Sequence, residues 1–232
     1  MRAETNSQGH MFTISIIGQK GGSGKTTIAI GLAVAAAKVG ETVVLIDLDP
    51  QANATNWSDR REGENPVVIS AQVSRLRQTV ETAKSNGADI IIIDTAGKND
   101  SAAIEAAKVS DLVLVPSRPQ MFDMETLPTV RSLIRAAEND PPAFVVYNTI
   151  HPQGSRIAEE LKEITASFCG MEPCPVHLSE RSSYAHAPSS GKAPQEIDPE
   201  GKAAAELERL YLFTCEQRKK GKSKHDEKTR RA

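Results

Sequence analysis

The run Gly18-Gln19-Lys20-Gly21-Gly22-Ser23-Gly24-Lys25-Thr26-Thr27 constrains this chain more than any other stretch. It follows the apolar run Phe12-Thr13-Ile14-Ser15-Ile16-Ile17 and precedes Ile28-Ala29-Ile30-Gly31-Leu32-Ala33-Val34. That order reads as strand, glycine-rich turn, helix. Glycines let backbone N–H groups approach anionic oxygens with no Cβ in the way. The helix N-terminus adds partial positive charge at the same point. In such a turn Lys25 reaches the β and γ phosphates of a nucleotide, and the Thr26 hydroxyl ligates Mg2+. The loop departs from G-x-x-x-x-G-K-[ST] in one place: Gln19 stands where the first glycine belongs, and Lys20 follows it.

Composition sets the frame around this turn. The 232 residues suit one α/β domain, and with 4% aromatics the core must come from Val, Ile, Leu and Ala, as in parallel sheets. Met1 to His10 carries no hydrophobic signal core, and no apolar run reaches membrane-spanning length. Cys169, Cys174 and Cys215 sit at no metal-like spacing and read as reduced thiols. A cytoplasmic protein is expected. The net charge of −2 hides an asymmetry. Residues 218–232 hold eight Lys/Arg and two acids, a net +6, which leaves −8 on the rest. A basic tail on an acidic body is expected to be disordered and is open to nucleic-acid contact. The expected organisation is a flexible leader over 1–11, a folded domain over 12–217 and the tail over 218–232.

Along the domain, apolar strands alternate with amphipathic helices. After the first helix, which Gly40 closes, Thr42–Asp47 is a buried strand ending in Asp47-Leu48-Asp49-Pro50-Gln51. Two carboxylates at i and i+2 project to the same side. They stand at the carboxyl edge, where ligands bind in doubly wound folds. The segment Ala52–Ser58 that follows has no evident assignment. A short strand Pro66–Ile69 and a helix Ser70–Asn86 come next. Ala88–Asp94, with four isoleucines in a row, is a central strand buried on both faces. It ends in Asp94-Thr95-Ala96-Gly97, where the carboxylate can hold the hydration shell of Mg2+ opposite Thr26. Further strands are expected at Asp111–Pro116, Ala143–Asn148 and Cys174–Leu178. Helices are expected at Asp123–Ala137, with Pro128 kinking or restarting it, at Ser155–Phe168 and at Gly201–Gln217. The whole predicts an α/β protein with a doubly wound, mainly parallel sheet of about seven strands and helices on both faces.

Lys20-Gly21-Gly22-Ser23-Gly24-Lys25-Thr26-Thr27, Asp47-Leu48-Asp49-Pro50-Gln51 and Asp94-Thr95-Ala96-Gly97 together resemble the ParA/MinD family of deviant Walker A ATPases. Over roughly 12–215 the chain is most similar to short ParA partition proteins. Thr55-Asn56-Trp57-Ser58 and Arg181-x-x-Tyr184-x-x-Ala187-x-x-x-Gly191 add to the likeness. The resemblance implies that Gly21, Gly22, Ser23, Gly24 and Lys25 cradle the phosphates of ATP and that Thr27 supports the α-phosphate. It implies that Lys20 reaches the nucleotide of a second subunit. Asp49 would position the attacking water, and Thr26, Asp94 and Asp49 would serve Mg2+. Pro116 and Asn148 match in place the residues that contact adenine, although Thr149 stands where an Arg usually follows.

The family also implies a cycle. ATP builds a sandwich homodimer, the dimer binds nonspecific nucleoid DNA, and a ParB-type partner stimulates slow hydrolysis. DNA contacts would be phosphate-dominated and salt-sensitive. Candidates are Arg181, Lys192, Arg209, Arg218, Lys219, Lys220 and the tail to Arg231. One alternative is a MinD-like protein, which would end in a membrane-binding amphipathic helix; after Phe213 this chain is nearly devoid of apolar residues, so no membrane partner is expected. The other alternative is an ATPase that positions protein clusters.

Overall fold

A computed structural model describes residues 11–231, with all side chains except those of Ser155 and 224–231. The leader expected over 1–11 therefore lies outside the described residues save for Met11. Seven strands form one sheet: β1 (Phe12–Ile16), β2 (Val43–Asp47), β3 (Val67–Ser70), β4 (Ile90–Asp94), β5 (Leu112–Ser117), β6 (Ala143–Tyr147) and β7 (Glu172–Pro173). Their order is β3-β2-β4-β1-β5-β6-β7, and every pairing is parallel. The chain thus builds outward from β1 in both directions. The crevice at the carboxyl end of that central strand is the expected ligand position.

Burial on both faces explains the unbroken apolar strands. Ile14, Ile16, Ile90 and Ile92 point into one core, and Ile91 and Ile93 point into the other. That is the period of two that a strand imposes. The described residues also form ten α-helices: α1 (Lys25–Lys38), α2 (Asn53–Ser58), α3 (Leu76–Ser85), α4 (Asp100–Lys108), α5 (Met121–Met124), α6 (Leu127–Arg135), α7 (Ser155–Cys169), α8 (Ser182–His186), α9 (Pro194–Ile197) and α10 (Lys202–Arg231). α1 is buried from Ile28 to Ala36, which accounts for its lack of a polar stripe. At Gly31 a Cβ would stand 2.5 Å from a Leu207 methyl, so this glycine sets how closely α10 packs on α1. None of the helices among the described residues is long and apolar enough to cross a membrane.

Two local expectations change, one is met by a restart of the helix at Pro128, and one element is added. Pairing with β6 ends at Pro173, so the strand expected over Cys174–Leu178 is not formed. Within that stretch Cys174 and Leu178 donate to the Val145 and Tyr147 carbonyls at 2.8 and 2.9 Å, and a donor spacing of four residues against an acceptor spacing of two breaks the ladder. The helix expected over 123–137 is broken, and Pro128 sits in the first turn of α6, where a missing N–H costs nothing. The segment before β5 contains α4, whose Asn99 cap accepts from the Ala102 N–H at 3.0 Å. Finally, α10 does not stop at Gln217 but runs to Arg231. Lys, Arg, Gln and Glu are good helix formers, and the helix is already nucleated and packed through Leu207, Leu210, Tyr211 and Phe213.

Candidate functional site

The turn between β1 and α1 is built from the residues that local sterics demand. Gly22 and Gly24 have φ of 71° and 96°, the left-handed region that favours glycine. At Gly21 and Gly22 a Cβ would meet nothing within 4 Å, so their backbone is open to a ligand. Gly97 closes the loop from the side. A Cβ there would lie 3.2 Å from the Gln19 carbonyl and 3.4 Å from the Gly21 nitrogen. Behind the loop, Lys25 Nζ donates to the Lys20 carbonyl at 2.9 Å, and Ser23 Oγ donates to the same oxygen at 3.2 Å.

These residues face an open cleft of about 1190 Å3 at the carboxyl edge of the sheet. Its walls are the glycine loop, Lys25, Thr26 and Thr27 on one side, Asp49 to Gln51 on a second, and Ala96 to Asp100 on a third. Strand register brings the acids together, since Asp47 of β2 pairs directly with Asp94 of β4. The two carboxylates of Asp47-Leu48-Asp49 then part in role. Asp47 is buried and committed, accepting from the N–H of Asp49 at 3.0 Å and from the N–H and hydroxyl of Thr55 at 3.0 and 3.1 Å. It thereby holds α2, the element that the sequence left unassigned. Asp49 is half-buried and lines the cleft.

Asp94 is fully buried, and neither carboxylate oxygen has a well-formed hydrogen bond, the Thr26 hydroxyl being the nearby donor. Burial pushes its carboxyl up to about 7; Asp47 adds to this, and Thr26 and Lys25 oppose it. Burial likewise holds the Lys25 ammonium below the ordinary lysine range, against the pull of Asp94 and Asp49. A buried carboxylate short of hydrogen bonds beside a threonine hydroxyl offers the oxygen ligands that a hard cation takes, and such a cation would satisfy its bare oxygens.

The other expected residues scatter. Asn148 does not open onto the cleft; its Nδ2 donates to the Ser23 carbonyl at 2.9 Å, bracing the loop from below. Pro116 is buried in β5, with its carbonyl 3.7 Å from the position of a Gly18 Cβ. Lys20 is half-buried and contributes its carbonyl to the loop. Among the charge candidates, Arg181 is bound to buried Glu206 at 2.6 Å. Arg218 is pinned on Glu41 at 2.9 Å and on the Asp89 carbonyl at 3.2 Å. Both are structural pairs rather than open surface charges. Lys192, Arg209, Lys219 and Lys220 are exposed. Lys192 borders a smaller cavity of about 300 Å3 with Thr27, Asn53 and Arg60. Sequence reasoning passed over Lys98, which lines the main cleft; its position directly after Asp94-Thr95-Ala96-Gly97 was the available signal.

Fold and cleft together define a nucleotide-binding α/β protein of the P-loop kind. The model of the CobQ/CobB/MinD/ParA nucleotide binding domain matches residues 14–194, and the chain belongs to that family. It is 27% identical over 212 residues to Protein ParA of Rhizobium radiobacter, covering 88% of this chain and 94% of that one. It is 33% identical over 115 residues to the maintenance of carboxysome distribution protein A of Gloeobacter kilaueensis, covering 49% of this chain and 52% of that one. Among solved structures, the septum site-determining protein MinD of Pyrococcus horikoshii, complexed with Mg-ADP, superposes with a TM-score of 0.69. That alignment is 17% identical and covers 87% of this chain and 95% of that one.

Proposed function

We propose that this chain is a partition ATPase. In this reading MgATP joins two copies in a sandwich dimer, and the dimer binds nonspecific DNA. A ParB-type partner stimulates hydrolysis and releases it. The observation that carries the nucleotide part is the pairing of an open glycine backbone at Gly21 and Gly22 with the buried carboxylate of Asp94, short of hydrogen bonds, across one cleft. The relative named ParA supports the partition part. The site of action would be the cytoplasm, on the nucleoid.

The roles follow from position. The N–H groups of Gly21 to Thr27 hold the phosphates at the start of α1. Lys25 exchanges the Lys20 carbonyl for the β and γ phosphate oxygens. Thr26, Asp94 and Asp49 would hold Mg2+, which when bound neutralises charge on the transferred phosphoryl group. Asp49 orients a water for attack on the γ-phosphorus, and the bond to the β-phosphate oxygen breaks to leave ADP. Lys20 acts on the nucleotide of the second copy. Pro116 and Asn148 support the adenine side. Positioning and charge carry the catalysis, with no covalent step on the protein.

A second reading keeps the ATPase and changes the cargo to a protein cluster, and the carboxysome-distribution relative favours it. Sedimentation velocity separates the outcomes. Wild type should convert from monomer to dimer with ATP and Mg2+ but not with ADP, Lys20→Ala should stay monomeric, and only the dimer should bind DNA, less at higher salt. A dimer that ignores DNA selects the protein-cluster reading. A chain that stays monomeric with ATP overturns the switch.

A further inference from the structure

We infer that Lys98 is a third lysine of the phosphate site, contacting the terminal phosphate of a bound nucleoside triphosphate and so distinguishing it from the diphosphate. The inference rests on the nucleotide reading above and adds to it a residue outside the glycine loop.

Lys98 lines the same cleft as Lys25, Thr26 and the open glycines, and the adjoining Gly97 lies against the backbone of Gln19 to Gly21. Its side chain is exposed, and it forms no ion pair among the described residues. Its backbone has φ of 57°. That left-handed conformation is unfavourable for an L-residue with a Cβ, and lysine lacks the short polar side chain with which Asn or Asp offsets it. Strain of this kind persists only where the surroundings enforce it, and it clusters at binding sites.

The surroundings do enforce it. On one side, Thr95 Oγ1 donates to the Ile16 carbonyl at 2.8 Å, and Gly97 is wedged against the loop backbone. On the other, Asn99 caps α4. Lys98 is held between two anchors only four residues apart, on a segment that touches the glycine loop itself.

Charge argues for the same ligand. The acids at or beside the cleft are Asp49, Asp94 and Asp100, and the cations of its lining are Lys25 and Lys98. Asp100 is occupied by the Gln19 amide at 3.0 Å, and the Lys25 ammonium is turned to the Lys20 carbonyl. A triphosphate brings several negative charges to this wall, and Lys98 is the exposed cation on the side away from α1. The helix N-terminus and Lys25 take the β-phosphate and reach the terminal one from the α1 side, and Lys98 meets that same terminal phosphate from the Ala96–Asp100 segment of the cleft lining.

The test is equilibrium binding of a nonhydrolysable ATP analogue and of ADP, each with Mg2+, to wild type, Lys98→Gly and Lys98→Arg at a protein concentration that keeps the chain monomeric. Lys98→Gly removes the ammonium and relaxes the positive φ, so the fold is retained and its thermal midpoint without nucleotide should not fall. Its affinity for the analogue should drop about tenfold, the size of one charge-assisted hydrogen bond, while ADP affinity stays within about twofold. Lys98→Arg should keep most of the analogue affinity. Equal losses for both nucleotides, or no loss for either, overturn the assignment. Wild type that binds neither nucleotide overturns the nucleotide reading as a whole, which is a different outcome from wild-type binding that Lys98→Gly leaves unchanged.

Discussion

The side-chain amide of Asn148 occupies the space into which a Cβ on Gly24 would project, and it donates to the Ser23 carbonyl at 2.9 Å. The end of β6 is thereby keyed to the turn that follows β1, 125 residues earlier. Gly24 meets two demands at once, the left-handed φ of 96° and the absence of a side chain. Gly24→Ala should lower stability by about 2 kcal/mol or more and abolish nucleotide binding. Asn148→Ala alone should cost about 1 kcal/mol, from the unpaired Ser23 carbonyl. Because the two side chains compete for one space, the double variant should be more stable than the sum predicts by about 1 kcal/mol. Urea denaturation of the four proteins measures this coupling, and strict additivity would refute the steric account.

Asp94 ties function to a stability cost. Burial pushes its carboxyl up to about 7 from the ordinary carboxylate value of 3.8. Across that window the native state keeps a proton that the unfolded state has released, so stability falls as pH rises from about 4 to 7 and stays low above it. Asp94→Asn should flatten this dependence. Without nucleotide at pH 8 it should exceed wild type by on the order of 4 kcal/mol, given a shift of this size, or roughly 12 °C in a chain of this length. The same variant should lose the added stabilisation that Mg-nucleotide confers on wild type. Thermal melts over pH 4–8 with and without MgATP test both halves; a wild type that gains stability towards pH 8 would show that the buried carboxylate is compensated.

Arg181 and the exposed lysines of α10 should behave differently as DNA-contact candidates. Glu206 is buried and receives Arg181, both donors of Ser179 and the Tyr184 hydroxyl. Burial raises its carboxyl, and these hydrogen bonds outweigh that and hold it below the ordinary glutamate range. Arg181→Ala leaves a buried carboxylate short of its cation and should destabilise by about 3 kcal/mol. Lys219→Ala with Lys220→Ala should change stability by less than about 0.5 kcal/mol. The lysine pair should instead weaken DNA binding and reduce the slope of log affinity against log salt by about 2. Melting curves and salt-titrated DNA binding on the two variants separate a folding role from a contact role; unchanged stability in Arg181→Ala would return that residue to the contact surface.

Gly31 and Leu207 set the seam between α1 and α10. Leu207 is fully buried and fills the position of the missing Cβ. Gly31→Ala has better helix propensity by about 1 kcal/mol, yet overpacking should outweigh it and leave a net loss of about 1–2 kcal/mol. Gly31→Ala in a Leu207→Ala background should recover part of the cavity cost instead. Denaturation midpoints that rise in Gly31→Ala alone would show that α10 yields at this seam.

The sequence by itself determined what short-range chemistry can specify. The glycine turn between an apolar strand and a helix is written in adjacent residues. The all-parallel sheet is legible because strands buried on both faces must read as continuous apolar runs, as Ile90–Ile93 does. Asp94 at the end of such a strand, beside a lysine-bearing turn, follows from the same logic. Only the tertiary structure decided how the carboxylates divide, because the Thr55 donors that commit Asp47 and spare Asp49 arrive on α2. It alone placed Asn148 under Gly24, Arg181 on Glu206 and Arg218 on Glu41. These partners lie from 25 to 177 residues apart. Sheet register and helix packing bring them together, and no local periodicity records a contact made across the fold. The extension of α10 past Gln217 belongs to the same class. A packed helix with Arg218 anchored on the sheet end supplies the nucleus from which good helix formers continue.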